Sequence, residues 1–212
     1  MKQKHIILFL LFLNFSYVYA QTYDTIIKTA IYTSYFNYNQ KLPAVLTYKL
    51  YKGGGECQRK GKGFRFVNDI KSLKTATDKD YAGTKYDKGH LANAEDFAYD
   101  CELDKITFRY YNCVPQAVKM NRGIWKTYET NIRKLSQTDS LQIIIVNVFD
   151  DKSFIGSHVG VPAYCIKAVY SLSKKTFIKA VSISNTSMPV AEEFNEADLN
   201  KKYKIKIEQF RK

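Results

Sequence analysis

The chain has 212 residues, 45% hydrophobic and 25% charged, and is long enough to bury one sizeable core. Four prolines and ten glycines exclude a collagen-like or low-complexity chain. Lysine and arginine number 33 against 20 acidic residues, which gives a formal net charge of +13, and 17 tyrosines accompany this excess. A basic, tyrosine-rich chain predicts a polyanionic partner, either nucleic acid or an anionic membrane surface; the alternative is that the charge serves only solubility.

Residues 1–20 have the pattern of a secretory signal peptide. Lys2 and Lys4 precede a short apolar run, and small or polar residues follow up to Ala20. The run is far shorter than the ~20 residues that span a bilayer, so an uncleaved membrane anchor is the weaker alternative. We therefore predict cleavage after Ala20, a single domain over 21–212, and export to the periplasm or the medium. We expect no stable membrane association after cleavage, and the oligomeric state is left open.

Beyond residue 20, runs of tyrosine, threonine and β-branched residues predict mostly strands. The predicted strands lie, in chain order, at 30–37, 44–51, 106–112, 141–149, 164–172, 176–184 and 202–207. The last of these alternates apolar residues with lysines, as a charged edge strand does. One helix is predicted at 124–135, where apolar residues recur at helical spacing. The fold class is therefore α+β.

Four cysteines, Cys57, Cys101, Cys113 and Cys165, follow the predicted signal peptide, and their spacing excludes a CxxC pair or a zinc-binding pattern. In an oxidising compartment they can form two disulfides, and the sequence does not choose among three pairings. Four buried free thiols are the alternative. Because Cys101 and Cys113 flank the predicted strand at 106–112, a bond between them would brace that strand. We expect at least one disulfide.

Two histidines, His90 and His158, follow residue 20, and histidine has the side chain whose pKa of about 6.5 suits proton transfer near neutrality. His90 follows Gly89, which permits a sharp turn or a close backbone approach. Its neighbours Asp87 and Lys88 are charged. His158 lacks comparable surroundings and is interpreted as a turn residue. His90 is therefore the candidate catalytic histidine.

Asn121 and Glu129 flank the start of the predicted helix. Asn121 stands where an N-cap belongs, but an amide oxygen beside Arg122 also suits a metal ion with its phosphate. At a rise of ~1.5 Å per residue, Asn121 and Glu129 are about 12 Å apart, so both cannot bind one ion directly on a straight helix. If both serve one metal, Asn121 binds it and Glu129 acts through a water. An ordinary ion pair of Glu129 with Arg133 is the alternative.

Three strings stand in a fixed order in the middle of the chain. They are YDKGHLANAEDF at 86–97, YNCVPQ at 111–116, and MNRGIW at 120–125 with a glutamate four residues after the tryptophan. Together they resemble the DNA/RNA non-specific endonucleases, the sugar-non-specific branch of the ββα-metal (His-Me finger) nucleases. Lys88 stands where that family usually has arginine, which keeps the charge but loses the two-pronged fork. The resemblance implies a mostly antiparallel central sheet, a ββα-metal finger and flanking helices.

The resemblance also implies a role for each residue of these strings. His90 would be the general base that takes a proton from the attacking water. Asn112, through its backbone or side chain, would hold the other imidazole nitrogen and set the tautomer. Asn121 would be the single direct protein ligand of Mg²⁺, with Mn²⁺ also possible, and Glu129 would hold a water of that ion.

The family also uses an upstream arginine to grip the phosphate, because the guanidinium fork matches two phosphate oxygens. Arg65 fits that place best by its Phe-Arg context, and Arg59 is the second choice. Arg122 is a further candidate near the metal, and Lys88 would also contact the substrate.

The function predicted from the sequence is an exported, Mg²⁺-dependent endonuclease. Basic residues are scattered through 60–88 and 119–134, and no base-reading motif accompanies them, so contacts should go mostly to phosphates. Both DNA and RNA should therefore be cleaved with little sequence preference. Two alternatives remain: a secreted basic protein that binds nucleic acid without cutting it, and a phosphodiesterase that acts on small phosphate esters.

Overall fold

The computed structural model describes residues 22–211, so the predicted signal peptide and its cleavage site lie outside the described residues. The strands in this part of the chain are β1 Thr25–Lys28, β2 Tyr32–Asn37, β3 Leu42–Leu50, β4 Tyr86–His90, β5 Cys113–Ala117, β6 Leu141–Val148, β7 Phe154–Ile155, β8 Val159–Gly160, β9 Tyr164–Ser171, β10 Thr176–Ser184 and β11 Ala191–Phe194. Seven of them form an antiparallel sheet in the order β1-β2-β3-β6-β9-β10-β11. The pairs β4-β5 and β7-β8 are separate antiparallel hairpins.

Short helices connect these strands. They are α1 Asp78–Tyr81, α2 Cys101–Ile106, α3 Lys126–Leu135 and α4 Glu196–Tyr203. Single 3₁₀ turns lie at Lys62–Phe64, Ala94–Phe97, Tyr110–Asn112 and Ile207–Phe210, and a π-helical turn at Met120–Trp125 leads into α3. Among residues 22–211, no helix is long and apolar enough to cross a bilayer.

The large sheet is buried on both faces. Because side chains alternate along a strand, Ile143 and Ile145 of β6 pack on one face, and Ile144 and Val146 pack on the other. The first face carries the β4-β5 hairpin and α3, and the second is covered by α4 and the chain that follows it. The segments that carry the three sequence strings therefore pack on one face of the large sheet.

The α+β class is confirmed, and strands cover the predicted segments at 30–37, 44–51, 141–149, 164–172 and 176–184. The predicted strand at 106–112 is wrong. Asp100 caps α2 by accepting hydrogen bonds from the backbone N–H groups of Glu102 and Leu103, so the chain there is helical. After α2 a 3₁₀ turn occupies Tyr110–Asn112, and the strand begins only at Cys113.

The predicted strand at 202–207 is also wrong, although its burial pattern is right. Tyr203, Ile205 and Ile207 are buried while the lysines between them are exposed. These residues instead form the end of α4, a left-handed Lys204 at φ +52° and the turn that follows. The side chain of Asn195 caps α4, which explains why helix prevails over strand at this end of the chain.

Candidate active site

The β4-β5 hairpin places His90 at its end, directly opposite Cys113. Strand alternation puts Lys88 and His90 on one face of β4 and Asp87 and Gly89 on the other. The hairpin is followed by the π-helical turn and α3, so the second and third sequence strings fold back onto the first. The three strings therefore form one continuous structural unit.

Gly89 is required at its position because the side chain of Gln116 crosses directly over it. A β-carbon on residue 89 would overlap the side-chain amide of Gln116, which is fully buried. The close approach expected from the sequence before His90 is thus confirmed. It also explains why the first and second strings belong together, since a glycine in one accommodates a glutamine in the other.

His90 lies against two phenylalanine rings and keeps one ring nitrogen unbonded. The centroids of Phe66 and Phe108 are 4.7 and 4.8 Å from that of the imidazole. Nε2 is buried and finds no hydrogen-bond partner within the part of the chain that the structure describes. Burial, with smaller contributions from the charges of Arg59 and Lys167, lowers the pKa of His90 to about 3. The imidazole is therefore neutral at physiological pH, as a general base must be.

Asn112 does not hold the imidazole through its side chain. Its Oδ1 accepts from the backbone N–H of Ala92 at 2.8 Å, and its Nδ2 donates to the carbonyls of Ala92 and Thr107. Its own carbonyl accepts from the N–H of Leu91 at 2.9 Å. The expected contact with the ring is thus replaced by a clamp on the two residues that follow His90. Asn112 fixes where His90 sits by holding its backbone neighbours.

Asn121 lies inside the π-helical turn, five residues before α3 begins, so its interpretation as a helix N-cap is wrong. Its Nδ2 donates to Oδ2 of Asp87 at 3.0 Å. The guanidinium of Arg122 donates to both oxygens of Asp87, at 2.9 and 2.7 Å, and this contact lowers the pKa of that carboxyl. Asp87 therefore ties the third string to the strand that carries His90.

The residues around Asn121 suit a Mg²⁺ ion that keeps most of its waters. Among residues 22–211, no group of three or more histidine, cysteine, aspartate or glutamate side chains could hold a metal. Because Asn121 uses Nδ2 to contact Asp87, its Oδ1 is the end of the amide left for a ligand. Mg²⁺ prefers oxygen ligands and binds through one or two protein groups together with substrate phosphates. A single amide oxygen beside a carboxylate matches that chemistry.

Glu129, in the first turn of α3, is buried and bound on both carboxylate oxygens. Oε1 lies 2.7 Å from Nζ of Lys167, and Oε2 accepts from Nδ2 of Asn93. Burial raises the pKa of Glu129, and Lys167 opposes that shift. The alternative ion pair with Arg133 is wrong, because Arg133 pairs with Asp96 instead.

Of the two upstream arginines, Arg59 is the one whose charge acts on His90. Arg59 donates to Asp104 at 2.8 Å and to Glu95 at 2.9 Å, and it contributes to the lowered pKa of His90. Arg65 is exposed, and its charge acts on Asp78. Within residues 22–211, Arg59 is thus already paired with two carboxylates and Arg65 is not, and the choice between them as the phosphate ligand stays a prediction.

Lys88 is held beside the histidine. Its Nζ forms an ion pair with Asp78 and lies 5.4 Å from the ring centroid of Phe66, which also packs on His90. Tyr110 donates to the same carboxylate oxygen at 2.7 Å. Lys88 and Arg122 are each already paired with a carboxylate, so an anionic ligand would share these cations with Asp78 and Asp87.

One disulfide, Cys57–Cys101, is present, and it connects the segment before Arg59 to the start of α2. Cys113 and Cys165 are buried free thiols, and burial raises the pKa of each to about 12. The expectation of at least one disulfide is therefore confirmed in the structure. The pairing of Cys101 with Cys113 is wrong, since Cys101 is bonded to Cys57 and Cys113 is a buried free thiol on β5.

Sequence reasoning missed two residues of the site, Lys167 and Asn93. Both contact Glu129, one from the central sheet and one from the chain that follows His90. The signal for Lys167 was present in the sequence. It is the single charged residue in the predicted strand at 164–172, and a charge within a buried strand calls for a partner.

Comparisons with known proteins point to one family. The family model of the DNA/RNA non-specific endonucleases matches residues 13–211. Human mitochondrial endonuclease G is 27% identical over 128 residues, which are 54% of this chain and 43% of that protein. The mitochondrial nuclease EXOG of Xenopus laevis is 34% identical over 83 residues, 39% of this chain and 23% of that protein. A Nostoc nuclease is 37% identical over 65 residues, 30% of this chain and 24% of that protein.

The chain spans less than half the length of these curated relatives. A solved structure of an EndoG/EndoGI complex matches with a TM-score of 0.71 and 17% identity, covering 87% of this chain and 85% of that chain. At this identity the likeness supports the fold alone. The family match, however, extends over nearly the whole chain, and the protein therefore belongs to the DNA/RNA non-specific endonuclease family.

Proposed function

We propose that the protein is an exported, metal-dependent endonuclease that hydrolyses phosphodiester bonds in DNA and RNA with little sequence preference. The observation that carries the proposal is His90, a neutral imidazole with a buried, unbonded Nε2 beside the charge of Arg59. A general base and a nearby cation both accelerate hydrolysis of a phosphodiester.

His90 accepts a proton from the water that attacks the phosphorus. Its low pKa keeps the imidazole free of a proton in the resting enzyme, and the contacts with Phe66 and Phe108 fix the ring. Asn112 holds the backbone that immediately follows His90, and this fixes the position of the imidazole relative to the sheet. Arg59, anchored by Asp104, stabilises the negative charge that grows on the phosphoryl oxygens.

Asn121 would hold the metal through Oδ1, with Asp87 orienting the amide. When bound, Mg²⁺ or Mn²⁺ would polarise the phosphate and stabilise the leaving 3′-oxygen. Glu129, fixed by Asn93 and Lys167, would orient a water bound to that ion. A carboxylate has about four lone-pair positions, so the two contacts that it already makes leave room for a water.

The breadth of substrate follows from the kind of contact available. Arg59, Lys88 and Arg122 are cations suited to phosphates, and phosphate contacts carry no base sequence. Export is supported by the sequence pattern of residues 1–20 and by the Cys57–Cys101 disulfide, because disulfides persist in oxidising compartments.

Digestion of supercoiled plasmid and of a folded RNA, each with Mg²⁺, with Mn²⁺ and with EDTA, tests the proposal. We expect both substrates to be cut with either ion and neither to be cut in EDTA, and His90→Ala to abolish most of the cutting. His158→Ala, in an exposed turn, is the matched control. Binding without cutting would instead indicate a capture protein, and hydrolysis of a small phosphodiester alone would indicate a phosphodiesterase.

A further inference from the structure

Lys167 is a fully buried lysine at the centre of the large sheet. It lies on β9 and pairs in register with Ile145 of β6 and Val181 of β10. A buried ammonium group is costly unless it is paired and hydrogen-bonded. The position within the sheet gives no reason for a charge, because the strand neighbours on both sides are aliphatic.

The Lys167 ammonium group contacts residues of the candidate active site and of the sequence strings. Nζ lies 2.7 Å from Oε1 of Glu129 and 3.3 Å from the carbonyl oxygen of Leu91, the residue after His90. It also lies 4.5 Å from the ring centroid of Trp125, at the junction of the π-helical turn and α3. One side chain thus joins the sheet to the first and the third sequence strings.

The peptide unit between Leu91 and Ala92 is held at both ends. Lys167 donates to its carbonyl oxygen, and Oδ1 of Asn112 accepts from its N–H at 2.8 Å. This peptide directly follows His90, so its orientation fixes where the imidazole emerges from β4. The second sequence string and the sheet therefore hold the same peptide from opposite sides.

Stability alone does not account for this arrangement. Replacing a buried ion pair by apolar residues of similar volume is often neutral or stabilising, whereas removing one partner is strongly destabilising. A methionine at 167 with a neutral residue at 129 would fill the same space. The ion pair is therefore better explained by a need to hold the Glu129 carboxylate and the Leu91 carbonyl in place than by a gain in stability.

We propose that Lys167 is a positioning residue of the hydrolytic reaction, which sets Glu129 and the peptide after His90 in one fixed relation. The inference rests on the proposed function. Lys167 does not touch the substrate; it acts through the carboxylate that it pairs with and the carbonyl that it binds. Its charge also contributes to the lowered pKa of His90, which is consistent with this closeness.

The test compares Lys167→Met, Glu129→Gln and the double variant with the native protein. Kinetics are measured on a defined DNA duplex at saturating Mg²⁺, and melting temperature and duplex affinity are measured in EDTA. We expect Lys167→Met to lower kcat by between about tenfold and about a hundredfold, with KM and duplex affinity within about twofold of native. In the Glu129→Gln background, Lys167→Met should lower kcat by clearly less than it does in the native background, because the part of its effect that acts through Glu129 is already lost.

Lys179→Met is the matched control. Lys179 lies on the neighbouring strand β10, is partly exposed, and pairs with Glu193 at the surface. This variant should keep native kcat, KM and melting temperature. In metal-free protein, the backbone amide NMR signals of residues 90–93 should shift in Lys167→Met and stay unchanged in Lys179→Met.

The outcomes separate the two proposals. A native protein that cuts neither DNA nor RNA overturns the proposed function. If the native protein cuts and Lys167→Met folds with native kcat, the positioning role is overturned. If Lys167→Met does not fold, the comparison of the double variant with Glu129→Gln decides, since the double variant leaves no unpaired buried charge. A further loss of tenfold or more in that comparison would show that Lys167 does not act mainly through Glu129, which overturns the proposed relation between the two residues.

Discussion

Nε of Arg59 donates to Oδ2 of Asp104 at 2.8 Å, and Asp104 lies on the same helix that Cys101 ties to Cys57. An ion pair and a disulfide thus attach the segment around Arg59 to α2 at two points. The segment has little regular secondary structure of its own, so these two attachments set where the guanidinium lies relative to His90.

Arg59→Ala should lower kcat/KM for duplex cleavage by about a hundredfold, since it removes a preorganised cation from the developing charge. Arg65→Ala should lower it by less than about fivefold, because Arg65 is exposed and acts on Asp78. Asp104 is buried, so the variant Arg59→Ala/Asp104→Asn controls for the charge left unpaired. Equal losses for the two arginines would return Arg65 to consideration as the phosphate ligand.

The cysteine pairing predicts that thiol titration of denatured, unreduced protein finds two free thiols, those of Cys113 and Cys165. Cys57→Ser/Cys101→Ser should lower the free energy of unfolding by roughly 2–4 kcal/mol, because the open loop regains conformational entropy when unfolded. It should also lower kcat/KM, since the segment that carries Arg59 loses one attachment. Four free thiols in denatured protein would contradict the disulfide.

Much of the fold and of the site could be predicted from the sequence, because strand patterns and motif order are local signals. The segment at 106–112 shows the limit of that reasoning. Its threonine and aromatic residues favour a strand, yet the Asp100 cap starts a helix just before it, and tertiary contacts decide the outcome. The partner of Glu129 was equally beyond local reasoning. Arg133 is one helical turn away in sequence, whereas Lys167 reaches Glu129 from a strand 38 residues later.

Gly89→Ala should destabilise the β4-β5 hairpin, because the added methyl group overlaps the Gln116 amide. Overpacking of this kind costs about 1–3 kcal/mol and would displace His90, so melting temperature and kcat should fall together. In a Gln116→Ala background the same change should cost much less, since the obstructing side chain is gone. If Gly89→Ala is equally harmful in both backgrounds, backbone conformation and not this contact requires the glycine.

Asn121→Ala should remove most of the activity while leaving the melting temperature nearly unchanged, because the side chain makes one hydrogen bond, to Asp87. Loss of metal stabilisation should cost several kcal/mol in the transition state. Asn121→Asp should be milder, since it keeps an oxygen for the ion, although it adds a charge beside Asp87. Cleavage rate as a function of Mg²⁺ concentration measures both effects. Near-native, EDTA-sensitive activity of Asn121→Ala would place the metal elsewhere.

The lowered pKa of His90 changes the expected pH dependence of the rate. With an ordinary value near 6.5, a free general base would give kcat/KM a limb around pH 6–7. Because burial, Arg59 and Lys167 lower the pKa to about 3, the imidazole is already neutral at pH 5. We therefore expect no limb from His90 between pH 5 and 8. Any limb in that range should persist in the residual activity of His90→Ala, which should be about 10²–10⁴-fold below native.

The lowered pKa of His90 also predicts that the stability of the folded protein depends on pH. Between about pH 6.5 and 3 the unfolded chain binds a proton at His90 and the folded protein does not, so acid favours unfolding. The contribution of the neutral His90 imidazole to the free energy of unfolding is fully present above the pKa of the unfolded chain. It is lost as the pH falls, by up to about 1.4 kcal/mol per pH unit. Denaturant unfolding of metal-free protein at pH 6 and pH 4 should therefore show a smaller loss of stability in His90→Gln than in the native protein. His158→Gln, in an exposed turn, should behave as native. Equal losses in all three proteins would show that folding does not lower the pKa of His90, and kcat/KM should then show the limb around pH 6–7 that is expected of a free imidazole.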